Sequence, residues 1–218
     1  MAEIIKILEI IGTIAFAVSG ALVAIAASLD IFGVVFVSCI TAIGGGILRD
    51  ILLGVNPPTV FFNYGICLIA IFSAITVFVI AYINRKKFDL FRMKLEHINN
   101  IFDAVGLAAF SVIGAELGFV HGFSDNGFIV VVIGMITGVG GGIFRDILTD
   151  TTPYVFKKHI YALASIFGSL LYFVLRKCFD NISLVSILSM LSVVAIRFLA
   201  TKFCWSLPKI RFENNDNK

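Results

Sequence analysis

Seven apolar runs alternate with short polar breaks along the whole chain, at residues 7–27, 33–54, 61–83, 98–120, 127–149, 158–176 and 182–204. A helix rising 1.5 Å per residue needs about 20 apolar residues to cross the hydrocarbon core of a bilayer, and each run is long enough. The breaks carry the residues that end helices: Ser28 and Asp30, Asn56 to Pro58, the polar stretch 84–97, His121 to Gly127, Asp150 to Pro153, and 176–181. The pattern predicts an all-α integral membrane protein of seven transmembrane helices, with no room for a soluble domain between them.

The pattern also repeats. GGGILRDIL at residues 44–52 returns as GGGIFRDIL at 140–148, one difference in nine positions, and Thr41 and Pro57 match Thr137 and Pro153 at the same offset of 96. Upstream, at an offset of 94, Glu9, Gly12, Ala15, Phe16, Gly20 and Ala21 match Asp103, Gly106, Ala109, Phe110, Gly114 and Ala115. Spans one to three and four to six are thus two copies of one unit. A unit with an odd number of spans reverses direction when repeated, so the copies are inverted about an axis in the membrane plane, an arrangement that encloses midplane sites. The expected organisation is a first repeat at 1–83, a basic cytoplasmic loop at 84–97, a second, inverted repeat at 98–177, a seventh helix at 178–205 and a cytoplasmic tail at 206–218, with Asn214 to Lys218 expected to be disordered.

Composition agrees with the membrane assignment: 59% of the 218 residues are hydrophobic and only 14% charged, with mean hydropathy +1.02. Lipids are the solvent for this surface, and Tyr64, Tyr82, Tyr154 and Tyr172 are expected near the headgroups. A net charge of +3 reflects orientation rather than nucleic-acid binding. With Arg49, Arg145 and Arg197 set aside as intramembrane, eleven basic residues fall on the face holding Arg85, Lys86, Lys87, Arg92 and Lys94, against three on the other. By the positive-inside rule the N-terminus lies outside and the C-terminus in the cytoplasm. Cys39, Cys67, Cys178 and Cys204 lack CxxC spacing and read as small buried hydrophobes, and the three histidines are isolated. No metal site or cofactor is expected. No serine, cysteine or histidine is paired with a base at a recognisable spacing, so an enzyme is not expected.

The duplicated string carries the chemistry. Glycine weakens a helix by about 1 kcal/mol relative to alanine, and arginine at mid-membrane costs about 2.5–3.5 kcal/mol, so both are functional by default. Bends at Gly44, Gly45 and Gly46 and at Gly140, Gly141 and Gly142 would free backbone carbonyls able to replace a cation's water. In a continuous helix Thr41, Gly45 and Arg49 would instead share a face, as would Thr137, Gly141 and Arg145. Topology places Glu9 in the leaflet of Arg49 and Asp103 in that of Arg145. Each carboxylate is expected to face its arginine, with Asp50 and Asp146 as second acids. Glu9 and Asp103 also suit the positive N-terminal ends of their helices. Gly12, Ala15 and Ser19 read as a small face for close helix packing.

The doubled GGGxxRD string, the seven spans, FAVSGA at 16–21 and DAVGLAAF at 103–110 together resemble the prokaryotic branch of the trimeric intracellular cation channels. The resemblance covers the chain to about Cys204. It implies a homotrimer in a bacterial inner membrane, with one pore per subunit bounded by kinked second and fifth spans and monovalent cations, chiefly potassium, as permeant ions. It also implies that Arg49, Asp50, Arg145 and Asp146 line or gate the path. The same domain bears the label glycine transporter, so a secondary carrier of glycine or a similar small solute is the alternative.

Overall fold

The structure is a computed structural model that describes residues 2–84, 92–157 and 160–205. The basic linker residues 85–91 and the tail 206–218 lie outside the described residues. Seven long helices follow one another: α1 (Ala2–Ala26), α2 (Ile31–Leu52), α3 (Tyr64–Ile83), α4 (Arg92–Gly118), α5 (Gly127–Leu148), α6 (Ile160–Cys178) and α7 (Ile182–Lys202). All seven contain stretches long and apolar enough to cross a membrane. A 3₁₀ turn at Thr59–Phe61 precedes α3, a single helical turn at Tyr154–Lys157 precedes α6, and α4 ends in a π turn at Phe119–Phe123. The ends agree with the apolar runs to within a few residues except at α1 and α4, which start five and six residues before the expected 7 and 98. The first turns of α4 hold polar residues that lipid would exclude but a helix standing in water accepts.

α1–α3 and α4–α6 form the two inverted repeats, and α7 is added against α4 and α6. The most buried helices are α1 and α4, packed on each other, while α2 crosses α5. Both crossings are reciprocal. Phe16 and Phe110 stack at 5.3 Å between ring centroids, and each ring fills the space where a side chain on the other repeat's Gly106 or Gly12 would project. Equivalent caps begin α2 and α5: Asp30 Oδ1 accepts from Gly33 N at 2.8 Å and Asn126 Oδ1 from Ile129 N at 3.2 Å, each satisfying an otherwise unpaired first-turn donor. Equivalent turns end them. Gly54 (φ 72°) and Asp150 (φ 52°) are left-handed, and Val55 N and Thr151 N donate back to the Asp50 and Asp146 carbonyls, both at 2.8 Å.

Two expectations about single residues change. Tyr172 is fully buried inside the protein rather than on its lipid-facing surface, and Cys178 and Cys204 are exposed while Cys39 and Cys67 are only half-buried.

Candidate functional site

The glycine strings do not interrupt their helices: α2 and α5 run unbroken through residues 44–46 and 140–142. The expected bends with freed carbonyls are therefore corrected to the continuous-helix alternative, and the glycines serve the approach of two backbones. A Cβ on Gly45 would overlap the carbonyl oxygen of Thr137, and one on Gly141 the carbonyl oxygen of Thr41. Flanking glycines repeat the exchange, since a Cβ on Gly44 would lie 2.6 Å from the Phe144 ring and one on Gly140 2.9 Å from Leu48. The third pair differs: Gly142 faces the Tyr161 hydroxyl at 2.8 Å, whereas nothing but the Arg49 side chain comes within 4 Å of Gly46. Thr41 and Thr137 are buried, and each hydroxyl donates to its own helix, at 2.6 Å to the Val37 and Ile133 carbonyls.

Arg145 follows the second string by one turn and points into the end of the bundle where α1 and α5 finish and α4 and α6 begin. It is wholly buried. Its Nε donates to Asp146 Oδ1 at 2.8 Å, and its Nη1 donates to Asp103 Oδ1 at 2.7 Å and to the Ser19 hydroxyl. The expected Asp103–Arg145 pair is present. Around it lie groups that sequence reasoning missed or assigned elsewhere. Ser19, assigned to packing, donates a hydrogen bond to Asn99 Oδ1 at 2.7 Å. Tyr161 donates to Asp103 Oδ1 at 3.3 Å. Tyr154 places its ring 5.1 Å from the Arg145 guanidinium and its backbone N–H on Asp146 Oδ2 at 2.8 Å. Burial raises the Tyr154 phenol above its usual value against the opposing pull of Arg145, so it stays protonated at neutral pH. From α7, Arg197 lies over the Tyr161 ring at 4.8 Å, with Nη2 3.7 Å from Asp103 Oδ2. Two guanidiniums and two carboxylates balance, as a buried cluster requires.

Arg49 occupies the matching place at the opposite end, and its surroundings are simpler. Its Nε donates to Asp50 Oδ1 at 2.8 Å, and Asp50 Oδ2 accepts from the Thr59 backbone N–H at 2.8 Å and hydroxyl at 2.6 Å. The expected Glu9–Arg49 ion pair is not formed. Glu9 makes no ion pair among the described residues and is only partly exposed, and it still feels the charges of Arg49 and Lys6. Asp50 and Asp146, expected as second acids, prove to be the partners common to both halves.

A cavity of about 550 Å³ opens beside the Arg145 cluster, lined by Leu22, Ile25, Glu96, Asn99, Asp146 and Tyr154 among others. At the Arg49 end of α4, a separate buried carboxylate, Glu116, accepts from the Tyr172 hydroxyl at 2.6 Å with Arg176 Nε at 3.8 Å. Its signal in the sequence is a lone acid inside the apolar run of α4.

Comparison with known proteins places this geometry. The family described as "Glycine transporter" matches at two segments, residues 6–82 and 100–177, which are α1–α3 and α4–α6. Among solved structures, a prokaryotic TRIC channel in 0.5 M KCl is 35% identical, covering 95% of this chain and 100% of that one with a TM-score of 0.85. A structure described as explaining conductance through TRIC cation channels is 32% identical over 98% and 99%, at 0.81. The chain belongs to the TRIC channel family. An orthologue of the TRIC trimeric intracellular cation channel from Rhodobacter sphaeroides, 27% identical, covers 92% of this TRIC chain and 98% of its own at 0.82. Curated relatives include a UPF0126 membrane protein of Vibrio cholerae, 34% identical over 94% of this chain and 82% of that protein. Another is the UPF0126 inner membrane protein YadS of Escherichia coli K12, 32% identical over 95% and 97%. The structural neighbours are channels, a class that needs no catalytic group.

Proposed function

We propose that this TRIC-family protein is a homotrimeric channel for monovalent cations, chiefly potassium, with one pore in each subunit bounded by α2 and α5. The observation that carries the reading is full-length likeness, at 32–35% identity, to proteins described as cation channels. The inner membrane of a bacterium is the address, as for the relative from Escherichia coli, with the N-terminus outside and the C-terminus cytoplasmic by the charge asymmetry of the loops. The cavity beside Asp146 is then the cytoplasmic vestibule, and the half-exposed Glu9 is a carboxylate at the outer mouth that raises the local cation concentration.

The geometry described is a closed conformation, because α2 and α5 touch backbone to backbone at Gly45 and Gly141. Small residues there let two unbroken helices slide or part without unpacking large side chains. An unpaired guanidinium 4 Å from a permeating cation repels it by about 4 kcal/mol at an effective dielectric of 20. Arg49 and Arg145 are neutralised in place by Asp50 and by Asp103 and Asp146, so they act as latches. Their displacement, rather than their presence, controls passage. Thr41 and Thr137 offer the path only hydroxyl oxygen lone pairs, since their protons are committed to backbone carbonyls.

Purified protein in planar bilayers should show unitary currents, with a reversal potential that follows the potassium gradient in mixed potassium and sodium solutions. Saturable uptake of glycine without unitary steps would replace the channel by a carrier.

A further inference from the structure

α7 has no counterpart in the repeat, yet it sends a charged side chain into the deepest polar cluster. Asp103 lies between two guanidiniums that hold it unequally. Arg145 donates a hydrogen bond to Oδ1 at 2.7 Å, while Arg197 waits at 3.7 Å from Oδ2 without one. Three buried atoms around this carboxylate have no hydrogen-bond partner: Asp103 Oδ2, Arg197 Nε and Arg145 Nη2. Asp103 and Arg145 are fully buried and Arg197 nearly so. Arg145 can serve as a latch only if it can leave. Leaving would strand Asp103 as an uncompensated charge at zero exposure, the costly way to break a buried pair.

We infer that Arg197 is the stand-in partner of Asp103, closing on Oδ2 when Arg145 departs, so that α7 is part of the inner gate and not merely its cover. This rests on the channel reading for its consequence, but the pairing itself does not. The first repeat shows why such a residue is needed at one end only. Asp50 keeps both Thr59 donors if Arg49 moves, and Glu9, which is partly exposed and in no ion pair among the described residues, is not stranded by that move. Among the described residues no third helix brings a second cation into an ion pair with Asp50. Arg197 is a positioning residue: it acts on the path through Asp103 and touches no permeant ion. The Tyr161 ring beneath its guanidinium provides a surface along which the group can move the remaining distance while staying over an aromatic face.

Thermal unfolding in detergent tests the pairing without any current. With the stand-in present, R145Q should be mild, and R197Q mild because Arg145 remains. R145Q/R197Q should lose more than the sum by roughly 3 °C or more, and adding D103N should return part of that loss. Additive shifts, or no recovery with D103N, would overturn the inference. Single-channel recording tests the consequence. R197Q should lower open probability about tenfold by shortening open dwells, with unitary conductance unchanged, and R197K should hold it within about twofold. An R197Q channel gating as wild type would also overturn it. A protein that is electrically silent but thermally non-additive keeps the Arg197 pairing and removes the channel reading alone.

Discussion

The two repeats use the same residues to opposite effect. At the Arg49 end the arginine, one aspartate and one threonine form a compact buried group, and the repeat's own acid, Glu9, is partly exposed and makes no ion pair with it. At the Arg145 end the matched residues are closed over by Ser19 of the other repeat, by Tyr154 and Tyr161, and by Arg197 of α7. Duplication therefore supplied two matching charge pairs, both buried, and the added helix brought a second guanidinium to only one of them. That changes what a charge costs to move, because a buried carboxylate that loses its partner is compensated only by another side chain.

The contrast breaks most visibly at the acids. Asp103→Asn should cost about 3–5 kcal/mol in unfolding free energy, since it leaves a buried guanidinium without its carboxylate. Glu9→Gln at the matched position should change it by no more than about 0.5 kcal/mol, and thermal melts of the purified variants compare the two directly. Equal effects would mean that the ends are alike.

The crossing, by contrast, should be symmetric. Gly45→Ala and Gly141→Ala each push a methyl into a backbone carbonyl of the facing helix, with an expected cost of about 1–3 kcal/mol each from overpacking. The yield of monodisperse protein on size-exclusion chromatography and the melting midpoint should fall together in both. The third glycines should separate again. Gly142→Ala meets the Tyr161 hydroxyl at 2.8 Å, while Gly46→Ala meets only the Arg49 side chain at an ordinary contact distance of 3.7 Å and should stabilise α2 by about 0.5–1 kcal/mol through helix propensity alone. Smallest of all, Thr59→Val removes one donor to Asp50 but leaves the backbone N–H. It should cost about 0.6 kcal/mol, typical of a hydrogen bond within a membrane bundle, and should raise the open probability of the outer gate slightly in bilayer recordings.

Much of this was legible in the chain. The spans, the repeat and the pairing of Asp103 with Arg145 follow from periodicity, identity and the reversal of a three-span unit. Glu9, expected by the same symmetry to face Arg49, feels its charge without closing to an ion pair, because symmetry of sequence does not impose symmetry of packing. The bends expected from three successive glycines fail for a related reason: poor helix propensity is a local penalty of about 1 kcal/mol per residue, and contact with a facing helix overrides it. Tyr161 and Asn99 left no repeated signature, since their matched positions carry no equivalent group, and Arg197 lies on the helix that has no counterpart in the repeat. Ser19 was visible only as one small residue among several.

The amino-acid order alone set how many times the chain crosses the bilayer, where it doubles, and that the copies run in opposite directions, because these depend on apolar length, identity and parity. Only the packed structure decided which acid each arginine holds, which hydroxyls join them, and that a helix outside the repeat reaches the centre of one half. Those choices turn on a few ångströms of helix rotation and approach, to which the spacing of letters along a chain is blind.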